Sequence, residues 1–234
     1  MSKIFDTLIH SRISHYFDDI FHEHVFAHRK NNGTDTALLS LTEQWRKELD
    51  QHNIIGIVSM DLSKAFDTLP HDLIKAKFKS YGADDKTTEL IHDYLTNRRQ
   101  RVRLGDHLSN WKEISAGVSQ GSVLGLLIFN IFMNDVVYAV RQSTLSAYAD
   151  DTQIFFADST AEKVEEVINA DLGNVDKWYE ENGMKRNSSK YQAIVMEKSQ
   201  VKPQFYCETT GIPITGELEM LGLAVDDKMK FEST

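Results

Sequence analysis

The sequence predicts an α+β fold in which an antiparallel sheet packs against helices. Residues 54–62 form a short, nearly continuous apolar run rich in β-branched side chains, which is typical of a strand buried on both faces. Two further strand-like segments flank Ala149 and Asp150 and meet there at a tight turn, which indicates a hairpin. Much of the remaining chain repeats apolar residues every three or four positions, as amphipathic helices do.

Length and composition favour one domain in a reducing environment. With 234 residues and 41% apolar content, the chain can bury a single core. The one cysteine, Cys207, excludes an internal disulfide framework. The N-terminus lacks a secretion-signal pattern, and the longest apolar run is interrupted by Asn130, Asn134 and Asp135. We therefore expect an intracellular protein that does not contact a membrane, with nucleus and cytoplasm both open.

The N-terminal third alternates helices with the buried strand. Apolar side chains recur with helical spacing over residues 4–21, and Thr34 or Asp35 can cap a second helix that runs to about Leu49. Asp61 stands at the end of the buried strand, where a carboxylate must be exposed, hydrogen-bonded or bound to a metal. Helical patterns then cover residues 70–81 and 84–97.

Charge is unevenly distributed along the chain. The net charge of −9 disfavours a broad nucleic-acid-binding surface. Residues 1–120 nevertheless carry 16 Lys and Arg against 17 Asp and Glu, whereas the rest carry 10 against 18. Arg101 and Arg103 alternate with Val102 and Leu104, which predicts a strand with arginines on one face. Such a face can follow a row of phosphates or can simply be solvated, and the pattern alone does not decide between them.

A glycine-rich turn precedes the most apolar helix. Residues 117–125 contain three glycines, which allow backbone amides to approach a ligand closely, and Ser122 can cap the helix that follows. A glycine-bearing turn that leads into a helix is common, so this turn alone is weak support for ligand binding.

The adjacent carboxylates of Asp150 and Asp151 occupy the turn of the predicted hairpin. Aspartate is ordinary at a solvated turn, and that interpretation is favoured when the pair is taken alone. Two neighbouring carboxylates also repel each other, and a cation between them would relieve the repulsion. A helix over residues 160–182, capped by Thr160, a strand over residues 191–196 and a hairpin between Phe205 and residues 221–225 complete the predicted fold.

Together these elements suggest phosphoryl-transfer chemistry. Carboxylates on two central strands of one sheet, Asp61 on one and Asp150 with Asp151 on the other, can hold two divalent cations. Such a pair serves in-line nucleotidyl transfer, and Mg²⁺ suits carboxylate and phosphate ligands.

Three segments, in order and at similar spacing, resemble the central palm motifs of reverse transcriptases, with the character of non-LTR (LINE-like) retrotransposons. They are residues 60–68 (MDLSKAFDT), 117–125 (GVSQGSVLG) and 148–151 (YADD). The resemblance covers nearly the whole chain. Leu126 and Ser188 depart from it, since each stands where these elements usually have proline.

The resemblance implies an RNA-directed DNA polymerase that needs two Mg²⁺ ions, with Mn²⁺ as the alternative, together with an RNA template, a DNA primer and a deoxynucleotide. It implies a helical fingers remnant over residues 1–52, a palm over 53–200 and a primer-grip-like hairpin over 201–234. The implied catalytic and metal-binding residues are Asp61, Asp150 and Asp151. The implied nucleotide-binding residues are Leu62, Ser63, Lys64, Ala65, Phe66 (as the steric gate against a 2′-hydroxyl), Gln120, Gly121 and Lys190. The implied nucleic-acid-binding residues are Arg29, Arg98, Arg99, Arg101, Arg103, Tyr148, Leu221 and Gly222.

The resemblance leaves activity open. The chain is expected to begin after part of the fingers and to end before a thumb, so we expect the isolated chain to extend a primer little or not at all. The alternative function is a catalytically inactive, retrotransposon-derived fragment that folds as a palm and at most binds metal or RNA weakly.

Overall fold

The structure is a computed structural model that describes residues 2–27, 29, 32–196 and 203–229. Its helices are α1 (Ser2–Asp18), α2 (Thr34–Asp50), α3 (Ala65–Thr68), α4 (His71–Ser80), α5 (Asp85–Leu95), α6 (Val123–Met133) and α7 (Ala161–Glu181). Its strands are β1 (Ile54–Met60), β2 (Arg98–Gln100), β3 (Arg103–Leu104), β4 (His107–Leu108), β5 (Lys112–Ile114), β6 (Thr144–Tyr148), β7 (Asp151–Asp158), β8 (Gln192–Met196), β9 (Tyr206–Cys207), β10 (Thr210–Gly211), β11 (Glu217–Met220) and β12 (Leu223–Asp226).

A four-stranded antiparallel sheet, in the order β6-β7-β1-β8, forms the centre of the fold. The central strand β1 is almost wholly buried, as its β-branched sequence predicts. Gly56 lies where α7 packs closest, because a Cβ atom there would come within 2.7 Å of the Val164 and Ile168 side chains. The outer edge of β6 is covered by residues 24–26, since the Phe26 amide donates to the Ala147 carbonyl oxygen at 2.9 Å.

Each face of the sheet contributes to a separate apolar cluster. Val58 and Met60 pack with α1 and α4 to α7 in the larger cluster, whereas Ile55 and Ile57 pack with α2 and the β11–β12 hairpin around Trp45. This alternation follows from the two-residue period of a strand and fixes which side chains share a face.

On the α2 face, side chains change from apolar to polar to acidic along the strands. Beyond Ile57 and its neighbours, one row across all four strands consists of Ser146, Gln153, Ser59 and Gln192. The next position on β7 is Asp151, and the residue that follows β1 is Asp61. Two of the predicted metal-binding carboxylates, Asp61 and Asp151, therefore lie at the acidic end of this face.

The polar residues that interrupt the apolar run of α6 bind other segments. Ser122 caps this helix by accepting a hydrogen bond from the Gly125 amide at 3.1 Å, as predicted. Asn130 donates to the Ala27 carbonyl oxygen, and Asn134 accepts from the His22 amide at 2.8 Å. These asparagines therefore anchor the segment after α1 to the core. None of the described helices has the length and apolar character that crossing a bilayer requires.

Several local predictions were wrong. Thr160 is the N-cap residue of α7, but its side chain makes no capping bond and its hydroxyl donates to Asp158 Oδ1 at 3.0 Å. The N-cap of α2 is Gly33 rather than Thr34 or Asp35. The predicted basic strand is divided into β2 and β3, which pair with β5 and β4 in one hairpin. The predicted C-terminal hairpin is two hairpins, β9–β10 and β11–β12. The palm boundary expected at residues 200 and 201 lies outside the described residues.

A buried carboxylate on α7 holds the loop that leads into the β6–β7 hairpin. Asp171 is 2% exposed and accepts backbone N–H bonds from Arg141, Gln142 and Ser143 at 2.8, 3.0 and 2.8 Å. Burial opposes its ionisation, but these three bonds outweigh burial, and the pKa of Asp171 lies below its ordinary value.

Replacing Asp171 with Asn should lower the free energy of unfolding by about 2–3 kcal/mol at pH 7, because an amide cannot replace a carboxylate that accepts three backbone N–H bonds. Urea unfolding measures the change, and the exposed Asp93→Asn on α5 is the matched control. The lowered pKa makes this stabilisation complete above the ordinary value of 3.8 and removes it as the pH falls toward the folded value. An equal loss of unfolding free energy in Asp171→Asn and Asp93→Asn would contradict this role. A difference between these two variants that stays the same as the pH falls would contradict it as well.

Candidate active site

The turn between β6 and β7 presents the two adjacent carboxylates. Ala149 and Asp150 form a two-residue loop, and Tyr148 pairs with Asp151 across it. Ala149 has a φ of 54°, whereas Asp150 does not adopt a positive φ, which is the pattern of a type II′ turn. Glycine is favoured at the first position of such a turn. Ala149 therefore adopts a backbone conformation that is energetically unfavourable for a residue with a side chain.

Strand register brings Asp61 to the same place. Met60 pairs with Thr152 in the antiparallel ladder of β1 and β7. Continuing that register by one residue sets Asp61 opposite Asp151, and side chains directly opposite each other have Cβ atoms about 4.5–5.5 Å apart. Carboxylates that are remote in sequence are therefore neighbours at the end of the sheet.

The charges of these groups act on one another. The pKa of Asp151 is raised, first by partial burial of its carboxyl group and then by the negative charges of Asp150, Asp61 and Glu219. The residue as a whole is exposed, so the burial reflects local shielding of the carboxyl group rather than enclosure. Glu219 comes from β11, and nothing in the sequence marked it as a neighbour of this site.

The segment after α7 holds Asp61 in place. The Asn187 side-chain amide donates to Asp61 Oδ2 at 2.9 Å, and the Asn187 backbone N–H donates to the Asp61 carbonyl oxygen at 2.9 Å. Lys190 Nζ lies 3.6 Å from the same Oδ2 atom, with 66% of its side chain exposed. Sequence reasoning identified Lys190 but missed Asn187, because a polar residue in a short polar loop carries no distinguishing pattern.

The donor chemistry of the site fits a divalent cation. Carboxylate oxygens are the ligands that Mg²⁺ prefers, and the repulsion that raises the pKa of Asp151 is the kind that a cation relieves. Among the described residues, however, no group of three or more His, Cys, Asp or Glu side chains is arranged so that it could hold a metal ion. Asp61 is bound to Asn187 and Lys190 instead, so the ligand set is not closed in advance.

The chain turns sharply after Asp61. Leu62 pairs with Arg186, and the Ser63 amide donates to the Lys185 carbonyl oxygen at 2.8 Å. Lys64 has a φ of 53° and precedes α3, which begins with the buried Ala65.

Phe66, the expected steric gate, is half-buried and stacks on Phe129, with ring centroids 4.2 Å apart and planes inclined by 25°. The α6 helix therefore fixes the orientation of this ring.

The glycine-rich turn packs directly against α3. The Val118 amide donates to the Phe66 carbonyl oxygen at 2.7 Å. Gly117 has a φ of 89°, and a Cβ atom there would lie 2.7 Å from both the Asp67 Cα atom and the Phe66 carbonyl oxygen. Only glycine fits this contact. Gln120 and Gly121 are exposed beside it, and Gln120 lines a cleft of about 530 Å³ together with Lys64 and Arg98.

Two arginines with predicted phosphate contacts already bind protein atoms. The Arg98 guanidinium donates to the Tyr94 carbonyl oxygen at 2.7 Å and to Ser119 Oγ at 2.9 Å, so it braces the glycine-rich turn. Arg29 donates to the carbonyl oxygens of His22 and Val25, each at 2.9 Å. Phosphate binding by these two arginines stays a prediction.

The remaining predicted nucleic-acid contacts lie on hairpins. Arg99, Arg101 and Arg103 are exposed on the β2–β5 hairpin. Leu221 and Gly222 form the tip of the β11–β12 hairpin, with φ values of 52° and 81°, which is the pattern of a type I′ turn. Their roles also stay predictions.

Comparison with known proteins identifies relatives of this chain. A family model described as "Reverse transcriptase (RNA-dependent DNA polymerase)" matches residues 1–225. The chain is similar to a probable RNA-directed DNA polymerase from transposon BS of Drosophila melanogaster, at 26% identity over 97% of this chain and 25% of the relative. It is also similar to the probable RNA-directed DNA polymerase from transposon X-element of the same organism, at 27% identity over 99% of this chain and 26% of the relative.

The fold itself matches solved structures. Apo telomerase from Candida tropicalis superposes with a TM-score of 0.66 over 97% of this chain and 40% of that chain, at 12% identity. The predicted α+β palm fold is thereby confirmed. The chain spans about a quarter of the length of the two transposon relatives.

Because Asn187 binds the Asp61 carboxylate, Asn187→Ala should lower the free energy of unfolding by about 1.5–3 kcal/mol, the range for hydrogen bonds to charged groups. Repeating the substitution in an Asp61→Ala background should remove most of that loss, since the partner is then absent. Urea unfolding of the four proteins gives the coupling, and Asn110→Ala on the exposed hairpin should change stability by less than about 0.5 kcal/mol. Equal losses with and without Asp61 would show that Asn187 acts elsewhere.

Proposed function

Because this chain belongs to the reverse transcriptase (RNA-dependent DNA polymerase) family, we propose that it is the palm on which a primer 3′-hydroxyl attacks a template-paired deoxynucleotide. Its relatives are RNA-directed DNA polymerases of non-LTR retrotransposons. The observation that carries the proposal is the strand register, which sets Asp61 beside Asp151 and the Asp150 turn, where the charges of Asp150 and Asp61 contribute to the raised pKa of Asp151.

Enzymes of this family generally use divalent metals, and in this chain Asp61, Asp150 and Asp151 would hold them. Two Mg²⁺ ions, or Mn²⁺ in their place, would supply activation of the primer hydroxyl and neutralisation of the leaving diphosphate. Asn187 keeps Asp61 directed toward the end of the sheet, and Lys190 places a positive charge beside it, where a diphosphate can accept a proton or a hydrogen bond.

The segment that follows Asp61 is proposed to orient the nucleotide. Backbone amides of residues 62–66 would face the triphosphate, and the ring of Phe66 would occupy the space that a 2′-hydroxyl needs. Stacking on Phe129 supports this role, because a gate must be rigid to exclude one additional hydroxyl. Gln120 and Gly121 would contact the template side, since they are exposed beside α3.

The nucleic acid is proposed to run across the hairpins around the site. A template-binding role follows from family membership, whereas the identity of the primer and the contacts remain part of the proposal. Tyr148 lies at the carboxylate turn, and Leu221 and Gly222 form the tip of the hairpin that carries Glu219, so these residues would hold the primer end. The charge of Glu219 at Asp151 supports the closeness of that hairpin to the site.

A second candidate function is a palm that binds RNA or metal without turnover. One observation favours it: the Asp61 carboxylate is bound by Asn187 and Lys190, and the described residues contain no closed set of metal ligands. The catalytic candidate requires that a divalent cation displace Asn187 and Lys190 from the Asp61 carboxylate, whereas the non-catalytic candidate does not.

Primer extension decides between the two candidates. The chain is incubated in molar excess over a primed RNA template with Mg²⁺ and deoxynucleotides, so that slow single additions are visible. We expect Asp150→Asn to reduce addition at least about 100-fold, because it removes a metal-binding carboxylate. Asp158→Asn, at the opposite end of β7, is the matched control and should leave addition unchanged. Binding of template without any Asp150-dependent addition would establish the non-catalytic candidate.

Phe66→Ala should lower the preference for deoxynucleotides over ribonucleotides by about 10-fold or more, because the ring no longer occupies the 2′-hydroxyl space. Single-nucleotide addition with each substrate measures the ratio. Phe66→Tyr keeps the ring and should keep the preference. An unchanged ratio in Phe66→Ala would remove the gate role while leaving the catalytic role of Asp150 untouched.

A further inference from the structure

The hairpin formed by residues 98–114, named here the basic hairpin, is an exposed surface of unusual composition. It carries Arg98, Arg99, Arg101, Arg103 and Lys112 against Asp106 and Glu113, a net charge of +3 in a chain of net charge −9. It also exposes four large apolar side chains: Val102 (71%), Leu104 (79%), Leu108 (50%) and Trp111 (56%). Exposed apolar and cationic groups on one element mark an interaction surface.

Strand pairing brings an aromatic ring close to the arginines of the basic hairpin. Arg99 pairs with Glu113, and Arg103 pairs with Leu108. Between these pairs Arg101 lies across from Trp111, with its guanidinium carbon 4.5 Å from the centroid of the indole. Arg101 lies between the strands β2 and β3, so Arg99, Arg101 and Arg103 follow one another along one arm of the hairpin, with Arg101 as the partner of Trp111.

These groups match single-stranded nucleic acid. Exposed aromatic rings provide a stacking surface for unpaired bases, and flanking arginines contact phosphates. Arg99 also bonds Glu113 Oε1 at 3.2 Å. Arg103 donates through Nε to the Gly105 carbonyl oxygen at 3.0 Å, so its terminal nitrogens, like the Arg101 guanidinium, can still donate to phosphate. A second copy of the chain fits less well, because a symmetric contact through this surface would set its arginines against one another.

The base of the basic hairpin adjoins the candidate active site. Arg98 donates to Ser119 Oγ in the glycine-rich turn, and Arg98 and Gln100 line the same cleft as Gln120. A single strand of nucleic acid that binds along the hairpin can therefore continue toward the residues proposed to contact the template.

We propose that the basic hairpin binds single-stranded RNA, with one base stacked on Trp111 and neighbouring phosphates held by Arg101 and Arg103. Assigning this RNA as the incoming template rests on the proposed function, whereas the binding itself does not. Trp111 is thereby a nucleic-acid-binding residue that the sequence motifs do not indicate.

Tryptophan fluorescence of the full chain tests the stacking. The probe is a 12-nucleotide single-stranded RNA. Trp45 is fully buried and Trp178 packs against Phe132 and Lys77, so Trp111 is the tryptophan that a base can reach. We expect RNA to quench the fluorescence, and we expect Trp111→Phe to abolish the quenching while it keeps most of the affinity. Binding without quenching of Trp111 would overturn the stacking proposal.

The salt dependence of RNA binding separates base stacking on Trp111 from phosphate contacts with Arg101 and Arg103. Trp111→Ala should weaken RNA binding by about 5- to 150-fold, the effect of losing one stacked base, without changing the slope of log K against log salt. Replacing Arg101 and Arg103 together with alanine should make that slope shallower by about 1.4, since each phosphate contact to a single strand contributes about 0.7. Leu104→Ala near the tip of the hairpin and Lys86→Ala on α5 are matched controls and should leave both quantities unchanged.

Two outcomes contradict the proposal. The first is equal RNA affinity of Trp111→Ala and Leu104→Ala. The second is concentration-dependent dimerisation in sedimentation that Trp111→Ala abolishes, which would assign this surface to a second copy. If the chain binds RNA through the basic hairpin but does not extend a primer, the proposed catalytic function fails and this inference stands. If the chain extends a primer but does not bind RNA through the basic hairpin, this inference fails and the proposed function stands.

Discussion

The register between β1 and β7 is the constraint on which the candidate active site depends. With Met60 opposite Thr152, the next position sets Asp61 opposite Asp151, although the two are far apart in sequence. A slip of one residue would turn Asp61 toward the helices and the larger apolar cluster. The register is fixed by packing, because Ile55 and Ile57 must face α2 while Gly56 admits the side chains of α7. The burial that stabilises the sheet thus also positions the carboxylates.

That arrangement carries an electrostatic cost. Partial burial of its carboxyl group, and then the negative charges of Asp150, Asp61 and Glu219, raise the pKa of Asp151. Asn187 and Lys190 offset part of this cost at Asp61. A divalent cation held between these oxygens would relieve their repulsion and would stabilise the folded chain over the unfolded one. The repulsion that destabilises the metal-free chain would therefore favour binding of the divalent metals that enzymes of this family generally use.

Local patterns in the sequence predicted the central elements well. The β-branched run gave the buried strand, the double-Asp turn gave the hairpin, and Ser122 gave the start of α6, because each depends on residues close in sequence. The contacts that position the site were not predictable in this way. Asn187 and Glu219 reach the carboxylates only through tertiary packing, and Arg98 is drawn to Ser119 by the fold of the glycine-rich turn. Thr160 is the N-cap residue of α7, but the expected capping bond is absent and its hydroxyl donates to Asp158 Oδ1 instead.

The most direct test of the carboxylate site is a crystal structure of the chain with Mn²⁺, in which anomalous scattering locates the metal. The register and the repulsion at Asp151 predict a peak at a coordination distance of about 2 Å from oxygens of both Asp61 and Asp150, with Asp61 released from Lys190. A peak that involves only one of the two strands, or an Asp61 carboxylate still bound to Asn187 and Lys190 with no metal beside it, would contradict a shared metal site.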